Sequence, residues 1–112
     1  MIALRDKLRN FVAERDWDQF HSPKNLAMAL SVEAAELMEH FQWLTEAESH
    51  RLPPEKLEEV RDEMADVLVY LVRLADKLEV DLLDAAAKKI AKNVEKYPAA
   101  KVRGSMKKYS DY

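Results

Sequence analysis

Glu33-Ala34-Ala35-Glu36 and Glu63-Met64-Ala65-Asp66 are the two stretches that decide the fold of this chain. Each sets two carboxylates three residues apart, and on a helix such residues lie side by side. The residues around them keep helical spacing. Leu26, Leu30, Ala34, Leu37, Phe41 and Leu44 line one segment, and Leu57, Val60, Met64, Val67, Leu68, Leu71, Ala75 and Leu78 line the next. Antiparallel packing of two such helices brings four anionic groups into one small volume. Two carboxylates about 5 Å apart repel by roughly 3 kcal/mol at an effective dielectric of about 20. The cluster therefore calls for a counter-charge, and oxygen-only ligands suit a hard cation, magnesium or manganese.

Outward from the couplets, the pattern stays helical. Leu4, Leu8, Phe11 and Val12 predict a first helix from about Ile2 to Arg15, halted by the aperiodic, aromatic Asp16-Trp17-Asp18-Gln19-Phe20-His21. Ser22-Pro23 predicts an N-cap with proline at the first helical position. Thr45-Glu46-Ala47-Glu48 fits a capping box for a short helix or turn, and Pro53-Pro54 breaks the chain and starts a third helix. Asp81 caps a fourth, ending at Tyr97-Pro98, and residues 98–112 read as a basic C-terminal tail. The expectation is a single all-α domain over residues 1–112, a small four-helix bundle. Four short helices leave apolar faces uncovered, so a homo-oligomer is expected as well.

Composition narrows the function classes. One glycine, four prolines and no cysteine among 112 residues favour helix and exclude disulfides, thiolate metal sites and cysteine nucleophiles. No apolar run approaches the roughly 20 residues of a membrane span, and the charged Met1-Ile-Ala-Leu-Arg-Asp start lacks a signal-peptide pattern, so a cytoplasmic setting is expected. The net charge of −3 hides an acidic middle and a basic end. That asymmetry is unlike a binder of nucleic acid polymers and suits a small anionic ligand, although a solvated helix face explains it too.

The same openness attaches to single residues. At 100° per residue Glu33 falls about 60° from the middle of its helix's apolar stripe and Glu36 about 120°, a border position that suits a cleft or interface. Glu-x-x-Glu is nonetheless common on ordinary helices. Trp17 and Trp43, in or beside irregular stretches, either stack on a flat ligand or close a small core. His21 either donates to a ligand or is structural; Tyr70, one turn past Asp66, either orients a metal ligand or fills the core. His40, four residues after Glu36, lacks the Glu-x-x-His pairing of di-iron bundles, which excludes a transition-metal oxidase.

In order along the chain, Trp17-Asp18-Gln19-Phe20-His21, Glu33-x-x-Glu36, Phe41-Gln42-Trp43, Glu63-x-x-Asp66-Val67-Leu68-Val69-Tyr70-Leu71 and Lys96-Tyr97-Pro98 resemble the all-α nucleotide pyrophosphatases of the MazG-like superfamily. The likeness is to its dCTP pyrophosphatase branch. It implies magnesium-dependent hydrolysis of a nucleoside triphosphate to monophosphate and pyrophosphate, in a homodimer or homotetramer whose pockets are shared between subunits. It makes Glu33, Glu36, Glu63 and Asp66 the metal ligands. Glu36 and Glu63 are expected to be catalytic, Glu36 as general base, since a carboxylate not fully engaged with metal can orient the attacking water. It maps the base pocket onto Trp17, His21, Trp43 and Tyr70, and further nucleotide contacts onto Lys89, Asn93, Lys96 and Tyr97. A linker around Glu46 to Pro54 shorter than in the animal enzymes, and Ala91 where an acid is expected, bear on base preference. The rivals are a broad-specificity or non-canonical triphosphate pyrophosphatase and, from another class, a non-catalytic helical interaction module.

Overall fold

A computed structural model of the chain describes residues 1–99 and 103–104. Among them five α-helices and one 3-10 turn form, and no strand. The helices are α1 (Ile2–Glu14), α2 (Pro23–Glu39), α3 (Glu46–Ser49), α4 (Pro54–Lys77) and α5 (Leu82–Lys96), with the turn at Asp18–Phe20. The expected all-α class holds. The helix count rises from four to five because the Thr45 capping box closes a full turn of α3: Thr45 Oγ1 accepts from the Glu48 N–H at 3.1 Å while Glu48 Oε1 accepts from the Thr45 N–H at 2.9 Å.

Most boundaries follow their capping chemistry. Ser22 Oγ accepts from the Asn25 N–H at 3.1 Å with Pro23 behind it, and Asp81 Oδ1 accepts from the Asp84 N–H at 3.1 Å to start α5. One expectation needs correcting. The α2 stripe does not continue as helix through Phe41 and Leu44; α2 stops at Glu39, and the next residues tighten into turns, with the Phe41 N–H on Met38 O and the Leu44 N–H on Phe41 O. Thr45 must adopt an extended backbone to cap α3, so the helix has to end before it.

Two compact units divide the chain, Met1–Val80 and one beginning at Asp81. In the first, α2 packs along α4 and α1 packs on α4. The pairs His21 with Arg73, Glu33 with Glu63 and His40 with Glu59 run in opposite senses along the sequence, so α2 and α4 are antiparallel. The core is narrow: Val12, Leu26, Val60, Val72 and Ala75 are buried, Leu26 almost completely.

The expected α4 stripe is only partly interior. Val60 and Ala75 are buried, but Leu57, Met64, Leu68 and Leu78 are exposed, as are Met28, Val32, Met38 and Ala34 on α2. The interior face of α2 is displaced towards Glu33, which takes the place a hydrophobe would fill. In the second unit α5 is amphipathic, with Leu83, Ile90 and Val94 exposed along it and an ion pair of Lys88 to Asp84 at 2.8 Å. Arg103 and Gly104 form a turn, Gly104 at a φ of 77° that suits glycine. The rest of the expected tail, 100–102 and 105–112, lies outside the described residues. No helix among the described residues is long and apolar enough to cross a membrane.

Candidate active site

Antiparallel α2 and α4 bring three of the four couplet carboxylates together. Glu33, Glu36 and Glu63, all half-buried, each offer an oxygen within 4.8 Å of the others. Glu33 Oε2 and Glu63 Oε2 are buried with no hydrogen-bond partner. As carboxylates neither can donate to the other, and a buried anion without a donor is strongly disfavoured.

The electrostatics record the same crowding. Burial, the adjoining Glu63 carboxyl and the charge of Glu36 push the Glu33 carboxyl up to about 7. Asp66, one turn beyond Glu63, is exposed and does not join the three-carboxylate group, though its charge adds to the rise at Glu33. An anionic, oxygen-only donor set with two orphaned oxygens fits a hard divalent cation. His40 Nδ1 lies 3.8 Å from Glu59 Oε2 one turn further along the same helix pair.

The aromatic candidates fall in different settings. Trp43, in the turn after α2, is 87% exposed, which leaves its indole faces largely uncovered by the described residues. Trp17 is partly exposed and already engaged, edge-on to Phe11 with ring centroids 5.6 Å apart, while the Arg15 guanidinium lies 3.8 Å over the Phe11 ring. Tyr70 is half-buried on α4, one turn past Asp66. His21, at the end of the 3-10 turn, is half-buried and faces Arg73. Lys89, Asn93, Lys96 and Tyr97 lie on and just after α5, in the second unit, the first three exposed and Tyr97 half-buried.

Sequence reasoning missed Arg73, Asp76 and Arg9. Arg73 is buried on α4 and paired with Asp18 and Asp76; Arg9 of α1 grips Asp76 with two nitrogens, and Lys77 reaches Asp18. The signal was an arginine inside the apolar run Leu71-Val72-Arg73-Leu74-Ala75. Hydrogen bonds from Lys77 and Arg73 hold the Asp18 carboxyl below its ordinary range, and Arg9 does the same for Asp76.

A model of the MazG-like family matches residues 28–112. Mouse and human dCTP pyrophosphatase 1 are 46% and 45% identical over 103 residues, 90% of this chain in each case. The chain spans 61% of the length of these relatives. The crystal structure of a pyrophosphatase from Archaeoglobus fulgidus matches with a TM-score of 0.83 and 43% identity, over 88% of this chain and 92% of that one. The chain belongs to the MazG-like family.

Proposed function

We propose that this chain is a divalent-metal-dependent nucleoside triphosphate pyrophosphohydrolase that converts a deoxynucleotide, dCTP or a modified dCTP favoured, to its monophosphate and pyrophosphate. The observation that carries this reading is the meeting of Glu33, Glu36 and Glu63 around two buried oxygens that no donor satisfies. The MazG-like membership and the likeness to dCTP pyrophosphatase 1 support the substrate class.

Glu33, Glu36 and Glu63, joined by Asp66, would hold Mg2+ or Mn2+. When bound, the cation screens the triphosphate's charge and makes water a better nucleophile. Glu36 is assigned the general base: it orients the attacking water and takes its proton as the new P–O bond forms and the anhydride bond between the α- and β-phosphorus breaks. Glu63 holds the cluster from α4. Lys89 and Lys96 are assigned to the triphosphate and Asn93 and Tyr97 to the nucleoside. Trp43 and Trp17 offer stacking surfaces, and Tyr70 orients Asp66. The exposed apolar faces of α2 and α4 support assembly of a small helical bundle into a homodimer or homotetramer, in a cytoplasmic setting.

The test is incubation with each standard nucleoside triphosphate and several modified ones, with magnesium, measuring monophosphate and pyrophosphate. Pyrophosphate with a cytosine preference supports the reading, and release from many bases makes it a broad-specificity enzyme. No product from any nucleotide leaves the interaction module.

A further inference from the structure

Arg73 is the one charged side chain buried among the described residues, at 4% exposure. A guanidinium in that position persists only if its N–H groups find acceptors. Its Nη2 donates to Asp18 Oδ1 at 3.1 Å, its Nη1 to Asp76 Oδ2 at 3.3 Å and its Nε to His21 Nδ1 at 3.4 Å. Both carboxylates are held from a second side: Lys77 Nζ donates to Asp18 Oδ1 at 2.6 Å and Arg9 Nε to Asp76 Oδ2 at 2.8 Å. Asp18 opens the 3-10 turn and His21 follows it, with Trp17 at its N-cap. One buried cation on α4 therefore fixes both ends of the Trp17–His21 segment. Asp16 just before it, at a left-handed φ of 52°, is where the chain reverses out of α1.

The Nε contact also determines the state of the imidazole. A guanidinium only donates and does not lose its proton near neutral pH, so the His21 nitrogen facing it must present a lone pair. The ring is then neutral, with its proton on Nε2. Burial, together with the Arg73 charge, holds His21 below the usual imidazole range, in keeping with that geometry. A neutral Nε2–H suits an uncharged acceptor, such as a base carbonyl or ring nitrogen. A charged imidazolium would suit a phosphate instead.

We propose that Arg73 is a positioning residue for nucleotide recognition: it locks His21 as the Nε2–H tautomer and anchors the Trp17–His21 segment on α4, so that His21 donates to the base and not to the phosphates. The proposal rests on the pyrophosphohydrolase reading above. Arg73 touches no substrate in this role and acts through His21 and Asp18.

Two measurements on the full chain test it together: 15N imidazole NMR of His21, and kcat and KM for the best nucleotide, in wild type, Arg73→Met, Arg73→Lys and Asp18→Asn. In wild type the His21 spectrum should show one neutral tautomer with Nδ1 unprotonated. Arg73→Met should release it into exchange between tautomers and raise KM by roughly 2- to 10-fold, the scale of one weakened hydrogen bond between neutral groups, with a much smaller change in kcat. Arg73→Lys keeps the charge without the fork and should restore neither. If Arg73→Met does not fold, Asp18→Asn decides, because that side chain is 61% exposed and leaves the core alone; a raised KM supports the anchoring and an unchanged one overturns it. Turnover by a wild type whose His21 already exchanges freely would overturn the proposal alone. A locked His21 in a wild type that hydrolyses no nucleotide would overturn the underlying reading, and the proposal with it.

Discussion

Glu33 and Glu63 each bury an Oε2 oxygen between α2 and α4 where no donor meets it. Burial is the first cause that lifts Glu33 to about 7, ahead of its neighbours' charges. Without a cation, the protein holds a proton on Glu33 that the unfolded chain, near 4.5, has already released. An acid raised on folding binds more protons when native, so stability falls as pH rises through that window. We predict that metal-free protein loses on the order of 1–2 kcal/mol between pH 4.5 and 7, after discounting for solvent screening, and little more above. Denaturant titrations across that range in a chelating buffer check this, and flat stability would contradict it. Glu33→Gln should remove the slope.

A cation should reverse that penalty. Anything that binds only the native state stabilises by RT ln(1 + [L]/Kd), about 2.7 kcal/mol at a hundredfold excess over Kd. Magnesium or manganese should therefore raise the melting temperature by several degrees at pH 7.5, and less at pH 5.5, where protonated Glu33 competes. Glu63→Gln should abolish the shift and the hydrolysis together while leaving the metal-free protein folded. Thermal scans with and without the metal supply the readout.

The local fold was legible because its signals are local: Ser22, Thr45 and Asp81 each cap where the sequence said, through one side-chain hydrogen bond apiece. Glu33, Glu36 and Glu63 were legible as a pair of couplets because helical spacing alone carries them into the same interface once α2 and α4 run antiparallel. Arg73 was not. Its partners Asp18 and His21 are distant in sequence, and no periodicity joins an arginine on α4 to a 3-10 turn. Leu57, Met64 and Leu68 share the expected stripe with buried Val60 and Ala75 yet are exposed, because an apolar stripe does not say whether its own chain or another covers it.

Trp43 and Leu26 are large hydrophobes with opposite fates, 87% and 1% exposed. Trp43→Ala should change stability by no more than about 0.5 kcal/mol, since it removes no packing. It should raise the nucleotide's KM by roughly ten- to a hundredfold, the scale of one lost base stack. Leu26→Ala should do the reverse, costing about 2–5 kcal/mol by leaving a cavity. Parallel denaturant melts and steady-state kinetics separate the two effects. A Trp43→Ala protein with native KM would remove that tryptophan from the base pocket.

Met28, Val32 and Met38 on α2, and Leu57, Met64 and Leu68 on α4, are each at least 40% exposed. Both helices already spend another face on each other, so each carries a second apolar face that is exposed among the described residues. Exposed apolar side chains at helical spacing mark an interaction surface, and the same two helices carry the carboxylates. Light scattering on a sizing column should therefore show a mass at least twice 13.0 kDa at micromolar concentration. A charge in such a surface is desolvated without a partner, so Met64→Glu should shift the mass towards the monomer. If the pocket is completed by a second copy, hydrolysis should fall in proportion to the dimer lost and recover at high protein concentration. A monomeric Met64→Glu protein with full activity would separate assembly from catalysis.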